Sequence, residues 1–347
     1  MVEKKNYIKV TIMVAVLLVA FLLPAQAGSG GSDPRTDKVD CSFTVMNAHP
    51  TDKDIHEIEL YDENESNTVN EMNPQEEYAL KIVASDPNGA EDIKKIFVTI
   101  YDYGTLQKSP TRITEGDANS SYLVIYEWTK GEGWSLLAPT NSTWGINSNK
   151  SRGPEIQSSN ISVGTWWLHF KPGKVAKESE NWRIFVIVTD ENVSFDNRSY
   201  VDRAEGYLNR TIRMNWYGEI EVLDETISFD ELFPRTERSR VIDVNTISNG
   251  KYKIEGKTDA QWGTIIVNTT SMTPGPGQMV LLHKCYDSSC DPGIVSTTFT
   301  VIPGLDLLDG PTSEKGKSYR IELKLRLGYG ILPGTYSGTY YVQIANA

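Results

Sequence analysis

Residues 78–101 read YALKIVASDPNGAEDIKKIFVTIY. Apolar side chains alternate with other residues over 78–84 and again over 96–100, and this period of two is typical of β-strands. Asp86-Pro87-Asn88-Gly89 between the two stretches is a turn sequence. At most, residues 90–95 provide one helical turn. The segment therefore predicts two strands joined by a turn.

The same alternation recurs along the chain. Before residue 224 it is found at 122–128, 166–170, 182–188 and 220–222. After residue 224 it is found at 241–244, 252–254, 263–267, 279–282, 297–302, 319–327 and 336–344. Short strands at regular spacing with Gly, Pro, Asn and Ser turns are typical of β-sandwiches. We therefore predict an all-β protein with two β-sandwich domains in tandem, at 40–223 and 224–347, and an exposed polar loop at 139–162.

Composition excludes some functions. The chain has 347 residues and a formal net charge of −12, which disfavours a phosphate-binding surface and hence nucleic acid as a partner. It has only 4 His and 3 Cys, too few to favour a His/Cys metal centre.

The N-terminus has the pattern of a secretion signal. Lys4, Lys5 and Lys9 precede an apolar run at 12–23, and Ala25-Gln26-Ala27 offers small residues for cleavage. The alternative is an uncleaved anchor, but about twelve residues of helix cover only about 18 Å of a roughly 30 Å hydrocarbon core. We expect a signal peptide at 1–27, a flexible linker at 28–39, no transmembrane anchor after cleavage, and an extracellular or cell-surface location.

Potential glycosylation sites agree with export. The Asn-x-Ser/Thr pattern occurs nine times, at Asn64, Asn119, Asn141, Asn149, Asn160, Asn192, Asn197, Asn209 and Asn268. Glycosylated residues must lie on the surface. The alternative is that Asn, Ser and Thr simply gather in turns.

The cysteines fit an oxidising compartment. Cys285 and Cys290 are separated by Tyr-Asp-Ser-Ser, and a turn there predicts a local disulfide. Cys41 is then the one unassigned cysteine, and we expect either a buried thiol or an intermolecular disulfide at this position.

One turn is a calcium candidate. Asp86, Asn88 and Asp92 place oxygen atoms around a Gly turn, and calcium takes six to eight oxygen ligands. The alternative is a turn stabilised by Asx hydrogen bonds, which requires no cofactor. A second acidic loop carries Asp190 and Glu191, but it also contains two of the potential glycosylation sites.

No catalytic motif is present. The sequence has no Gly-x-Ser-x-Gly, His-Glu-x-x-His, phosphate loop or Cys-x-x-Cys. We therefore expect that the protein is not an enzyme, with paired carboxylates of a glycan hydrolase as the alternative.

Two adjacent tryptophans are candidates for binding a carbohydrate. Trp166 and Trp167 are adjacent, so on a strand one points inward and the other outward. An exposed ring at Trp167 would pack against the apolar face of a sugar.

Three segments resemble a known group of proteins. Residues 78–101 and 182–190 are similar to strands of the immunoglobulin-like modules of exported archaeal and bacterial cell-surface proteins. The close of the chain is similar to the last strand of secreted sandwich domains, including some pilin and coat proteins, in the pattern Gly334-x-Tyr336-x-Gly338-x-Tyr340-x-Val342. The resemblance implies immunoglobulin-like sandwiches, and the density of glycosylation sites favours an archaeal envelope.

These observations favour a secreted, N-glycosylated structural or adhesive protein of the cell envelope. Its partners would be other envelope proteins or further copies of itself, joined through 40–46 or a strand edge of the second domain, with surface glycans as a further partner. A carbohydrate-binding module is the first alternative and an extracellular glycan hydrolase the second.

Overall fold

The structure, a computed structural model, describes residues 42–347. The predicted signal peptide at 1–27, the linker at 28–39 and Cys41 lie outside the described residues. Residues Asn47–Ala347 form one unit. Apart from strands it contains one α-helix, α1 (Tyr103–Leu106), and 3₁₀ turns at Asp52–Asp54, Ala90–Asp92, Pro110–Arg112, Glu115–Asp117 and Phe195–Tyr200. The predicted all-β class is confirmed. Between residues 42 and 347, every helix is too short or too polar to cross a membrane.

Two sheets contain the strands before residue 215. Sheet A has the order β1 (Ile55–Asp62), β3 (Tyr78–Ser85), β9 (Asn160–Lys171) and β7 (Gly145–Ile146), and β8 (Arg152–Gln157) also pairs with β9. Sheet B has the order β2 (Glu71–Met72), β12 (Ile212–Met214), β10 (Ser179–Thr189), β4 (Lys95–Asp102), β5 (Leu123–Thr129) and β6 (Gly133–Ala138), and β11 (Ala204–Tyr207) also pairs with β10. All pairs are antiparallel except β2 with β12.

Sheets A and B face each other across one hydrophobic core. Leu80 and Leu168 of sheet A and Val98 and Val186 of sheet B belong to the same buried cluster. A second cluster covers the opposite face of sheet B, where Phe97, Phe185 and Phe195 are among the buried residues. The central strands of sheet B are therefore buried on both faces, which explains why their sequences are nearly continuously apolar.

The segment 139–162 is not the exposed loop that we predicted. It contains β7, β8 and the start of β9, and both shorter strands pair with β9. Its sequence has no period of two because β8 has no fully buried position, so neither of its faces requires apolar side chains. Ile156 packs against the core between sheets A and B.

The remaining strands form sheets C and D. Sheet C has the order β13 (Gly218–Val222), β14 (Glu237–Ser248), β21 (Lys317–Leu327), β18 (Gln278–Cys285), β17 (Ile265–Val267) and β16 (Gln261–Trp262), and β19 (Gly293–Ile294) also pairs with β18. Sheet D has only β20 (Thr300–Val301), β15 (Tyr252–Thr258) and β22 (Tyr340–Asn346). Their shared core includes Ile242, Leu281 and Leu323 of sheet C and Ile254 of sheet D.

The change from one pair of sheets to the other comes earlier than the expected boundary at 223/224. Gly218–Val222 pairs along its length with β14, from Gly218↔Ser248 to Val222↔Val244. Ile220 packs against the core of sheets C and D, which is the physical reason why this strand belongs to the second pair. Sheet B ends at Met214, so the connection is 215–217.

Candidate functional site

Two acidic loops that are distant in sequence meet at one end of sheets A and B. Asp86 directly follows β3, Asp190 directly follows β10, and both side chains are fully buried. Residues 47–49 connect the loops, because the Ala48 N–H donates to Asn88 Oδ1 over 2.7 Å and Asn47 Nδ2 donates to Asp190 Oδ2 over 2.6 Å. We call Asp86, Asp190, Glu191, Asp202 and His49 the acidic loop cluster.

His49 lies close to three carboxylates of this cluster. Its Nδ1 lies 2.8 Å from Asp190 Oδ1 and 3.9 Å from Glu191 Oε1. Its Nε2 lies 3.9 Å from the exposed Asp202 carboxylate. The hydrogen bond to Asp190 raises the pKa of His49, although partial burial opposes the change.

Only one of the two carboxylate oxygens of Asp86 accepts a hydrogen bond from the described residues. Its Oδ1 accepts the Asn88 N–H over 2.7 Å, whereas Oδ2 has no hydrogen-bond donor among the described residues. Burial raises the pKa of the Asp86 carboxyl to about 6, and the negative charges of Asp190, Asp92 and Asp54 act in the same direction. The predicted set of Asp86, Asn88 and Asp92 is therefore close to a second group of acidic residues, which sequence reasoning had treated separately.

An apolar groove lies between sheets C and D. Its volume is about 1310 Å³, and Ile242, Met279 and Leu323 of sheet C form its floor. Sheet D has fewer strands than sheet C and does not cover all of it. The walls of the groove are instead formed by irregular segments at 224–234 and 331–339. Tyr340 and Val342 of β22 also line the groove.

The mouth of the groove exposes apolar side chains. Phe233 and Leu332 are 73% and 76% exposed, and both line it. β22 is the last strand of sheet D, with β15 as its only strand partner in the described part of the chain. A strand with one unpaired edge next to an apolar groove offers hydrogen-bonding groups and a hydrophobic surface together.

A charged network lies on the outer side of sheet A. His169 is buried, with Nε2 at 2.9 Å from Glu65 Oε1 and Nδ1 at 3.1 Å from Glu77 Oε1. Arg152 donates to both Glu65 oxygens, at 2.6 and 2.7 Å, and this pair lowers the pKa of Glu65 to about 2. Both ring nitrogens of His169 have hydrogen-bond partners, so the network is typical of one that stabilises the fold.

Trp167 is not exposed, and this prediction is wrong. Its side chain is 8% exposed, because Tyr61 packs edge-on against the ring at 5.6 Å and the Arg152 guanidinium lies over it at 5.2 Å. Trp167 does point away from the core that holds Trp166, but β8 supplies the residue that covers it. The ring therefore has no free face for a sugar.

Cys285 and Cys290 are both free thiols, so the disulfide that we predicted is not formed in this structure. Cys285 ends β18 with its side chain buried in the core of sheets C and D. Hydrogen bonds hold the following turn without a covalent link, from the Ser288 N–H to the Cys285 carbonyl and from the Cys290 N–H to Ser288 Oγ.

Most of the predicted glycosylation sites are accessible. The eight asparagines in the sheet A and sheet B region are exposed, namely Asn64, Asn119, Asn141, Asn149, Asn160, Asn192, Asn197 and Asn209. Asn268 is half-buried, and its Nδ2 donates to Gln278 Oε1 over 3.0 Å. Accessible sites are thus concentrated before residue 215.

Comparison with known proteins gives little further information. No protein-family model matches the chain, and no curated protein matches it. Among solved structures, the chain is similar to one from work described as "Chaperone-tip adhesin complex is vital for synergistic activation of CFA/I fimbriae biogenesis". The identity is 9%, the match covers 83% of this chain and 78% of that chain, and the TM-score is 0.23. So low a score carries no argument about fold or function.

Proposed function

We propose that this protein is an exported, N-glycosylated structural or adhesive component of a cell envelope, and that its copies assemble by strand addition. The observation that carries the proposal is the apolar groove of sheets C and D beside the unpaired edge of β22. An added strand pairs its backbone with such an edge and places alternate side chains in the groove.

The strand that we propose for this groove is Ser42–Met46 of a second copy. Phe43, Val45 and Met46 are 89%, 70% and 78% exposed. No backbone hydrogen bond among the described residues involves 42–46. Phe43 and Val45 are two residues apart, so in a strand they would point to the same side. Covering each of these side chains contributes about 1.5–3 kcal/mol.

The glycosylation pattern supports the same arrangement. Bulky glycans on the eight exposed asparagines would cover the region of sheets A and B. The region of sheets C and D contains one Asn-x-Ser/Thr pattern, and its asparagine is half-buried. The groove would therefore stay open to another copy.

The test compares the oligomeric state of the mature chain with that of a variant carrying Phe43→Ser and Val45→Ser. We expect light scattering to show concentration-dependent assembly of the wild type, weakened about 100-fold or more in the variant. Leu307→Ser is a matched control, since Leu307 is 61% exposed and does not line the groove. It should assemble like the wild type.

A photo-crosslinking residue at position 43 identifies the partner surface. In a mixture of isotopically heavy and light chains, we expect cross-links between heavy and light chains at 224–234 or 331–342. A wild type that stays monomeric at every concentration would overturn the proposal. Cross-links confined to single chains would also overturn it, because the strand would then fill the groove of its own chain.

A further inference from the structure

Sheets A and B are joined to sheets C and D end to end. Glu178, directly before β10, donates its N–H to the Asn249 carbonyl over 3.1 Å, and Asn249 directly follows β14. In the described part of the chain, no strand of sheets A or B packs along a strand of sheets C or D. Each pair of sheets therefore has one end at this junction and one free end.

The N-terminal side of the described chain is held at the free end of sheets A and B. The strand β10 begins beside the junction and ends about 33 Å away. Asp190 directly follows this strand. Asn47 Nδ2 donates to Asp190 Oδ2 over 2.6 Å, and His49 Nδ1 lies 2.8 Å from Asp190 Oδ1. The segment 42–46 is therefore attached to the folded chain at this end.

The apolar groove lies at the free end of sheets C and D. The strand β14 ends beside the junction and begins about 36 Å away. The wall segments 224–234 and 331–339 precede β14 and β22. Tyr340, which lines the groove, begins β22, whereas Asn346 at the other end of β22 pairs with Tyr252 beside the junction. The groove thus opens away from sheets A and B.

The two free ends are too far apart for a chain to fill its own groove. Five extended residues such as 42–46 span at most about 17 Å. Each pair of sheets is roughly twice that length, and the two pairs are joined end to end. A different copy must therefore supply the strand.

We propose that the copies join head to tail into an open chain, with 42–46 of each copy in the groove of the next. The inference rests on the proposed function, which is assembly by strand addition. A contact between two unlike surfaces leaves one free strand and one free groove after every addition, so growth continues.

The rival arrangement is a closed dimer, in which two antiparallel copies lie side by side and fill each other's grooves. This dimer would bring the long flanks of the copies together. The formal net charge of −12 would make the flanks repel each other. Glycans on the eight exposed asparagines of the sheet A and sheet B region would also separate them. Contact between ends avoids both obstacles.

The test mixes two variants of the mature chain, each of which lacks one half of the contact. Phe43→Ser with Val45→Ser removes the apolar side chains of the added strand. Phe233→Lys with Leu332→Lys places two charges at the mouth of the groove, where both side chains are largely exposed and the fold does not depend on them. Each variant alone should assemble about 100-fold more weakly than the wild type.

A mixture of the two variants should form heterodimers that do not grow further. The intact strand of one variant fits the intact groove of the other, so the affinity should be within about threefold of a single wild-type contact. Sedimentation velocity measures both quantities. The wild type alone should give a series of species that lengthens with concentration.

Ile266→Lys with Leu307→Lys is the matched control for the added charges. Both side chains are exposed, at 55% and 61%, and neither lines the groove. This variant should grow like the wild type.

Two results would overturn the head-to-tail arrangement while strand addition stands. The first is a wild-type assembly that stops at a fixed number of copies. The second is a mixture of the two variants that forms no heterodimer although the wild type assembles. A wild type that stays monomeric would overturn the proposed function as well, so the two failures are distinguishable.

Discussion

His283 is a buried residue whose charge state affects stability. It lies on the inward side of β18, is 1% exposed, and has its Nδ1 2.9 Å from the Tyr340 hydroxyl on the opposite sheet. Burial lowers the pKa of His283 from 6.5 to about 4. The unfolded chain therefore binds a proton at His283 below about pH 6.5, where the folded protein does not, and stability falls as the pH decreases towards 4.

We predict that His283→Asn removes this part of the pH dependence. Between pH 7 and pH 5, the free energy of unfolding of the wild type should fall by about 2 kcal/mol more than that of the variant. Urea unfolding at several pH values measures this difference. Tyr340→Phe should keep the dependence, because burial and not the hydroxyl lowers the pKa of His283. Equal slopes in wild type and His283→Asn would contradict the prediction.

The covered ring of Trp167 should contribute to the stability of the fold. We expect Trp167→Ala to lower the free energy of unfolding by about 3 kcal/mol, since it removes the contacts with Tyr61 and Arg152. Denaturant unfolding measures the loss. Exposed Tyr200, at 84%, is the control, and Tyr200→Ala should change stability by less than about 1 kcal/mol. A Trp167→Ala variant as stable as the wild type would mean that the ring is free after all.

Sequence reasoning could predict single residues only where neighbours in the chain decide their surroundings. The turn at Asp86 was recognisable as a group of oxygen atoms, because Asp86, Asn88 and Asp92 are close in sequence. Its proximity to Asp190 depends on how β3 and β10 are placed in two different sheets. Trp167 shows the same limit, since alternation gave its direction correctly but could not reveal that Arg152 covers it.

Some strands can be predicted from the sequence pattern, and others depend on their pairing in the sheet. Strands with regular apolar alternation or continuous burial, such as β4 and β10, were predicted with bounds close to those observed. β8 was missed because its residues are polar and half-buried, and its extended form depends on pairing with β9. The strand β13 was predicted, but its pairing with β14 was not, because alternation along one strand does not show which other strand it pairs with.

The outer face of sheet B depends on one buried arginine. Arg198 lies in the 3₁₀ turn Phe195–Tyr200, and its guanidinium packs over the Phe195 ring at 3.6 Å. It donates to the carbonyl oxygens of Pro110 and Ile113 over 3.2 and 2.7 Å, and also to that of Phe195. Arg198 thereby connects two segments that cover this face of the sheet.

We predict that Arg198→Ala lowers the free energy of unfolding by about 3 kcal/mol, because three carbonyl oxygens lose their donor. Arg198→Lys should recover less than half of this loss, since one ammonium group cannot reproduce the planar fork. Chemical denaturation measures both. Arg112→Ala, at an exposed position, is the control, and it should behave like the wild type. Full recovery with lysine would show that charge alone is needed.

At the scale of the whole molecule, a buried side chain is one of the contacts that join the two pairs of sheets, beside the Lys174–Glu219 ion pair and the hydrogen bonds of Thr143 to Glu314. Asn249 is fully buried, and its Nδ2 donates to the carbonyl oxygens of Ala176 and Asn215, each over 2.8 Å. Its Oδ1 accepts the Tyr217 N–H over 2.7 Å. All three partners precede β13, whereas Asn249 follows β14 of sheet C. This amide therefore couples sheets A and B to sheets C and D.

We predict that Asn249→Ala weakens the coupling between the two pairs of sheets and lowers the free energy of unfolding by about 3 kcal/mol, because buried groups at the junction lose their partners. Differential scanning calorimetry should show one transition for the wild type and two for the variant, since each pair of sheets has its own hydrophobic core. Asn346→Ala, at the exposed end of β22, is the control and should keep the single transition. A single, unshifted transition in Asn249→Ala would mean that other contacts couple the sheets. In the assembly that we propose, a strand bound to sheet D would stabilise the groove side directly, and Asn249 would link that stabilisation to sheets A and B, whose region contains eight of the nine Asn-x-Ser/Thr patterns.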